Sequence, residues 1–112
     1  MEKPFPVIEV TPGSLHFGHV PVGSTKDLTL LVKNTGGGIL TGSATTSAPF
    51  SIASGDSYAL YPGQSDVVTV RYQPTSPGPH TGTVVFTGGD GATVQVTGNP
   101  RDLPWLLLLL GD

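Results

Sequence analysis

The chain contains no cysteine, and that one absence removes disulfides, thiolate metal sites and cysteine nucleophiles together, while leaving the redox compartment open. Charge is scarce as well. Only 12% of the 112 residues are charged, about half of the roughly 25% usual in globular proteins. The net charge is −3, so no basic face is available, and no nucleic-acid partner is expected. No apolar run approaches the roughly 20 residues that cross a bilayer as a helix. The longest, Trp105 to Leu110, has six, so no membrane span is expected in this chain. The opening MEKPFPVIEV has no apolar core of signal-peptide length. Asn34 is followed by Thr35 and Gly36, which is not a glycosylation sequon.

What is present is punctuation. Glycine (16) and proline (11) together make about a quarter of the chain, close to the range where low-complexity disorder sets in. Here, however, they sit between short runs in which apolar and polar residues alternate, as in an all-β fold. Pro6 to Val10 reads as a first short strand ended by Pro12-Gly13. In SLHFGHVPVGS, Leu15 and Phe17, with Val20 as a further candidate, point one way, and His16 and His19 the other. Lys26 to Asn34 is the clearest strand: Leu28, Leu30 and Val32 share one face, with Leu31 breaking the polar one. A glycine-rich reversal follows at 34–38, then a weak strand from Ile39 to Ala44. Phe50 and Ile52, then Val68, Val70 and Tyr72, then Gly82, Val84 and Phe86, then Ala92, Val94 and Val96 form further inward rows. Pro62-Gly63 suits a type II turn, and GGDG at 88–91 a tight hairpin. About seven antiparallel strands at eight- to twelve-residue spacing, with no helix before residue 99, predict an all-β immunoglobulin-like sandwich.

The blocks PGSLHFGHVPVGSTKDLTLLVKNTGGGIL, PFSI and LYPGQSDVVTVRYQPTSPGPHTGTV occur in that order. They resemble the ASH-type domain, the immunoglobulin-like module related to major sperm protein and the PapD-like fold, whose bacterial relatives recur in surface proteins described as choice-of-anchor. The matching positions are Pro12, Leu15, Phe17, Gly18, Val20, Val22, Gly23, Asn34, Gly36, Leu40, Phe50, Pro62, Gly63, Val70, Tyr72, Pro74, Gly78 and Gly82. The resemblance covers roughly residues 5 to 98. It implies a structural or protein-interaction module without catalytic residues or cofactor, placed in cilia and centrosomes for eukaryotic members and in exported proteins for bacterial ones. An extracellular or cell-surface location is therefore expected, with the cytoplasm as the alternative. The matching residues form turns and fill cores, so they specify fold and not partner.

Catalytic and metal chemistry find little footing. His16 and His19 stand three apart, no cysteine completes a ligand set with His80, and all three are read as surface polar residues. GGDGATV has Thr93 where a calcium-binding glycine–aspartate repeat needs an aspartate, and it occurs once. The serines lie in no nucleophile-elbow context, and NTGGGILTG lacks the spacing of a phosphate loop. The expectation is a non-enzyme with no metal and no cofactor.

Two features point to partners. Few charges guard the strands (Lys26, Asp27, Lys33, Asp66 and Arg71 are nearly all of them), so an exposed strand edge either is blunted by prolines or recruits an incoming strand. The second feature is the tail at 99–112, outside the sandwich expected at 1–98. It carries Leu103, Trp105, Leu106, Leu107, Leu108, Leu109 and Leu110. Burying five leucines is worth on the order of 10 kcal/mol before ordering costs, so this segment is expected to bury itself against protein or lipid. Three readings follow: a structural module of a bacterial surface or secreted protein, a self-assembling fibre subunit whose tail docks into its neighbour, or a carbohydrate- or ligand-binding domain using Tyr58, Tyr61 and Trp105.

Overall fold

The computed structural model describes residues 4–100. Nine strands follow in chain order: β1 (Ile8–Thr11), β2 (Ser14–His19), β3 (Lys26–Asn34), β4 (Leu40–Thr45), β5 (Phe50–Ser54), β6 (Ser57–Leu60), β7 (Ser65–Tyr72), β8 (His80–Phe86) and β9 (Ala92–Asn99). They form two sheets, ordered β1-β3-β7-β5 and β2-β9-β8-β4-β6. Every pairing is antiparallel except β2 with β9, which run parallel.

The chain changes sheet at every step from β1 to β8, and at two of these steps, β1 to β2 across Pro12-Gly13 and β5 to β6 across Gly55-Asp56, the crossing takes only a two-residue corner between edge strands. Each such corner leaves one half of an edge strand on each sheet. Counted as two sheet-switching edges, the nine segments reduce to the seven that the sequence pattern suggests. The short β6, SYAL, has no counterpart among the expected runs.

The inward rows meet as one core. Leu30 and Val32 of β3, Val68, Val70 and Tyr72 of β7, Val84 and Phe86 of β8, and Val94 and Val96 of β9 are all essentially inaccessible. Register makes them face one another: Leu30 lies opposite Val68, and Val84 opposite Val94. The β2 strand shows how a local device corrects strand parity. Leu15, Phe17 and Val20 are all buried, although an odd spacing between Phe17 and Val20 should turn them to opposite faces. Gly18, at φ 69°, sits in the register irregularity between His16 and His19 and absorbs the extra residue.

Candidate functional site

Strand direction divides the loops into two poles. β3 runs from Lys26 to Asn34 with β7 antiparallel beside it, so Asn34, Ser65 and the Gly88–Gly91 hairpin lie at one pole. Lys26, Tyr72, His80 and Asn99 lie at the other.

The Asn34 pole is tied from inside. Asn34 is the one polar residue buried in the described core, at 0% exposure. Its Oδ1 accepts from the backbone N–H of Val7 (3.3 Å) and Gly36 (3.0 Å), and its Nδ2 donates to the carbonyls of Gly38 (2.9 Å) and Leu60 (3.0 Å). Its own backbone N–H donates to Gln64, and its carbonyl accepts from Gly63. All four hydrogen-bonding positions of the amide are therefore filled, and one side chain fastens the segment before β1, the glycine loop after β3 and the end of β6. Gly36 fits because a Cβ there would meet the backbone at Phe5 and Val7.

With the polar groups of this pole turned inward, its large apolar side chains face water. Phe5 is 73% exposed, Ile39 48% and Tyr61 59%. Each sits within two residues of the Asn34 network: the Phe5 carbonyl accepts from Gly37, Ile39 follows Gly38, and Tyr61 follows Leu60. Asp90 is the single charge in the described loops that meet there, residues 4–7, 35–39, 61–64 and 87–91. The weak strand expected from Ile39 starts one residue later, at Leu40, which frees Ile39 for the surface.

The Tyr72 pole is built the opposite way. Its rings are inside: Tyr72 stacks on Phe50 (centroids 4.8 Å apart, 21° between planes), and Phe17 lies 5.5 Å from Tyr72 and 5.8 Å from Phe50. Glycines on β8 and β9 make room for them. A Cβ on Gly98 would run into the Tyr72 ring, and one on Gly82 would stand 3.0 Å from Phe50. The Tyr72 hydroxyl is hydrogen-bonded to His80 Nδ1 at 2.6 Å, and burial pushes its pKa up. Beside this cluster an open, mostly apolar groove of about 340 Å³ lies across β2, β9 and the start of β8, lined by His16, Gly18, Pro79, His80, Thr81, Thr97, Gly98 and Asn99.

The sequence-predicted residues distribute as follows. His16 lies on the outer sheet face with Nδ1 2.9 Å from Thr97 Oγ1, while His80 joins Tyr72; among the described residues no three His, Asp or Glu side chains gather at one point. Tyr58, one of the aromatics considered for ligand contact, is a core residue, its hydroxyl donating to the Thr87 carbonyl at 2.6 Å. Tyr61 is on the surface. The β2 edge is partly guarded, since Lys26 Nζ donates to the Phe17 carbonyl at 3.2 Å. Leu103, Trp105, Leu106, Leu107, Leu108, Leu109 and Leu110 lie outside the described residues. The exposed trio at the Asn34 pole escapes a pattern search because its members sit in three separate loops. The sequence signal there, an asparagine ahead of a glycine run, marks a turn and does not by itself reveal the burial of Asn34.

A two-sheet sandwich whose edge strands cross between sheets is an immunoglobulin-like domain of the PapD-like, ASH type. Within that class, residues 6–99 match the HYDIN/CFA65/VesB-like, Ig-like domain family, and the chain belongs to it. No match by sequence was found among curated proteins. The fold is similar to the ASH/PapD-like domain 7 of human CEP192 (TM-score 0.74, 15% identity, covering 92% of this chain and 91% of that one). It is also similar to a Porphyromonas gingivalis W83 protein of unknown function (0.72, 18%, 88% and 49%) and to the Pseudomonas aeruginosa CupB2 chaperone (0.67, 15%, 82% and 55%). The chain thus spans about half the length of these two bacterial proteins. Human and bacterial likenesses together carry the ASH/PapD-like class, not the narrower bacterial surface-protein subset. At these identities they speak for the fold alone.

Proposed function

We propose that this domain is a non-enzymatic protein-interaction module that holds an uncharged, apolar stretch of a partner protein on the Asn34 pole, through Phe5, Ile39 and Tyr61. The observation that carries the reading is the inversion at that pole: a fully bonded amide inside and three large apolar side chains outside. Held on a fixed backbone, such side chains lose little freedom on binding and serve as anchors. The near-absence of charge around them favours an apolar partner surface over an ionic one. The role of the motif residues as turn-formers and core-fillers supports a module without catalysis. An extracellular or cell-surface location goes with this reading.

The test is a triple variant, Phe5→Ser, Ile39→Ser and Tyr61→Ser. Partners retained by the wild-type domain are identified and purified, and their affinities measured against both forms. With anchors of this kind each worth about tenfold or more, affinity should fall by at least about 100-fold while the melting temperature is held. A purified partner that binds the triple variant as tightly as the wild type would remove the Asn34 pole from the interface.

A further inference from the structure

We infer that the leucine-rich segment at residues 103–110 docks in cis, into the apolar groove at the Tyr72 pole. Continuity is the first argument. Gly98 and Asn99, the last residues of β9, both line the groove, so the chain leaves the sheet at the site. Reach is the second. At about 3.3 Å per extended residue, Leu103 is at most about 13 Å past Asn99 and Trp105 about 20 Å, so the groove is within reach of both. The other apolar surface, at the Asn34 pole, is a full strand away: the nine residues of β3 span about 30 Å. The leucine run, centred on Leu108, nine residues past Asn99, would need its linker almost fully extended, about 30 Å, to reach that far, whereas the groove adjoins the point where the chain leaves β9.

Size and chemistry agree. A closed apolar cavity of about 150 Å³ takes one benzene ring, and the groove holds about 340 Å³, room for an indole with a leucine beside it. Its exposed wall is mostly carbon, although Thr81, Thr97 and Asn99 line it together with the glycines, Pro79 and the two histidines. No Asp, Glu, Lys or Arg lines the groove. The groove is thus an apolar acceptor adjoining an apolar donor segment on the same chain.

Trp105 is the sole tryptophan, so the segment reports on itself. The experiment measures its emission maximum and acrylamide quenching in the full chain over a dilution series, with mass measured at each concentration. Docking in cis predicts blue-shifted, protected emission that is independent of concentration in a monomer. Thr81→Arg places a charge in the groove from an exposed position. Because one leucine-sized group is worth about tenfold or more in the docking equilibrium, this variant should be quenched several-fold more readily. Pro79→Arg, in the exposed loop, is the second groove variant should the first fold poorly, and Thr93→Arg, exposed at the far end of β9, is the control that changes nothing. Three results would overturn the inference: an indole as accessible in the native chain as in denaturant; protection that fades on dilution in step with loss of a dimer or larger species, which makes a second copy the occupant; or protection untouched by both groove variants while the sandwich melts normally.

Discussion

The two poles of this sandwich solve one packing problem in opposite ways. At the Asn34 pole a polar side chain is inside and apolar side chains are outside; at the Tyr72 pole three rings are inside, and glycines on the facing strands leave the room they fill. The contrast follows from what must be joined. Three irregular segments converge on Asn34, each with backbone groups that would be buried unpaired, and a buried, unpaired N–H or C=O costs about 1–3 kcal/mol. One amide with two donors and two acceptor positions pairs all of them, and leaves the loops' apolar residues without an interior to enter. At the Tyr72 pole the chain arrives as regular strands whose ladders already pair the backbone, so the interior is free for rings.

The strongest way to break this contrast is Asn34→Ala. It orphans the N–H groups of Val7 and Gly36 and the carbonyls of Gly38 and Leu60 together. Allowing for water reaching part of the pole, the loss should be about 4 kcal/mol, a large part of the 5–15 kcal/mol that holds a domain of this size. Denaturant unfolding measures it, and a loss under about 1 kcal/mol would mean that the network does not hold the pole. Gly98→Ala attacks the other pole by steric means alone. Its Cβ would overlap the Tyr72 ring, and overpacking of this kind costs about 1–3 kcal/mol. The near-ultraviolet circular dichroism of the ring cluster should change in this variant, whereas in Asn34→Ala it should persist at temperatures where the protein is still folded.

The Tyr72 pole was largely legible in the sequence, and the Asn34 pole was not. Phe17, Phe50, Tyr72 and Gly82 fall on period-two rows, and period is what a sequence displays directly. Those rows also give the sandwich, the core and the resemblance to the ASH type. Asn34, by contrast, looks like any asparagine before a glycine turn, a position where asparagine usually bonds its own loop. That it is inaccessible and reaches Val7 and Leu60, 27 and 26 residues away, depends on how the two sheets stack. Phe5, Ile39 and Tyr61 share that dependence, since nothing local relates three loops that meet only in the folded chain. Strand count fell between the two cases: alternation marks the strands, but it does not mark where an edge strand changes sheets.

The smallest expected effect comes from the outer face just above the Tyr72 pole, and it asks whether that pole rests on its rings or on surface charge. Arg71 Nε and Nη2 donate to the two Asp27 carboxylate oxygens at 2.9 and 3.1 Å, with both side chains more than 40% exposed. The hydrogen bonds from Arg71, opposed by desolvation and aided by the Arg71 charge, hold the Asp27 pKa below 3.8. A depressed carboxylate pKa contributes stability that is present above the unfolded value and lost as pH falls through the folded one. Asp27→Asn should therefore melt slightly below the wild type at neutral pH, and the two curves should converge as pH drops below 3.8. Added salt should narrow the neutral-pH gap too, because an exposed pair is screened. A gap as large as that of Gly98→Ala, or one that survives acid, would shift the weight of this pole from the rings inside to the charges above them.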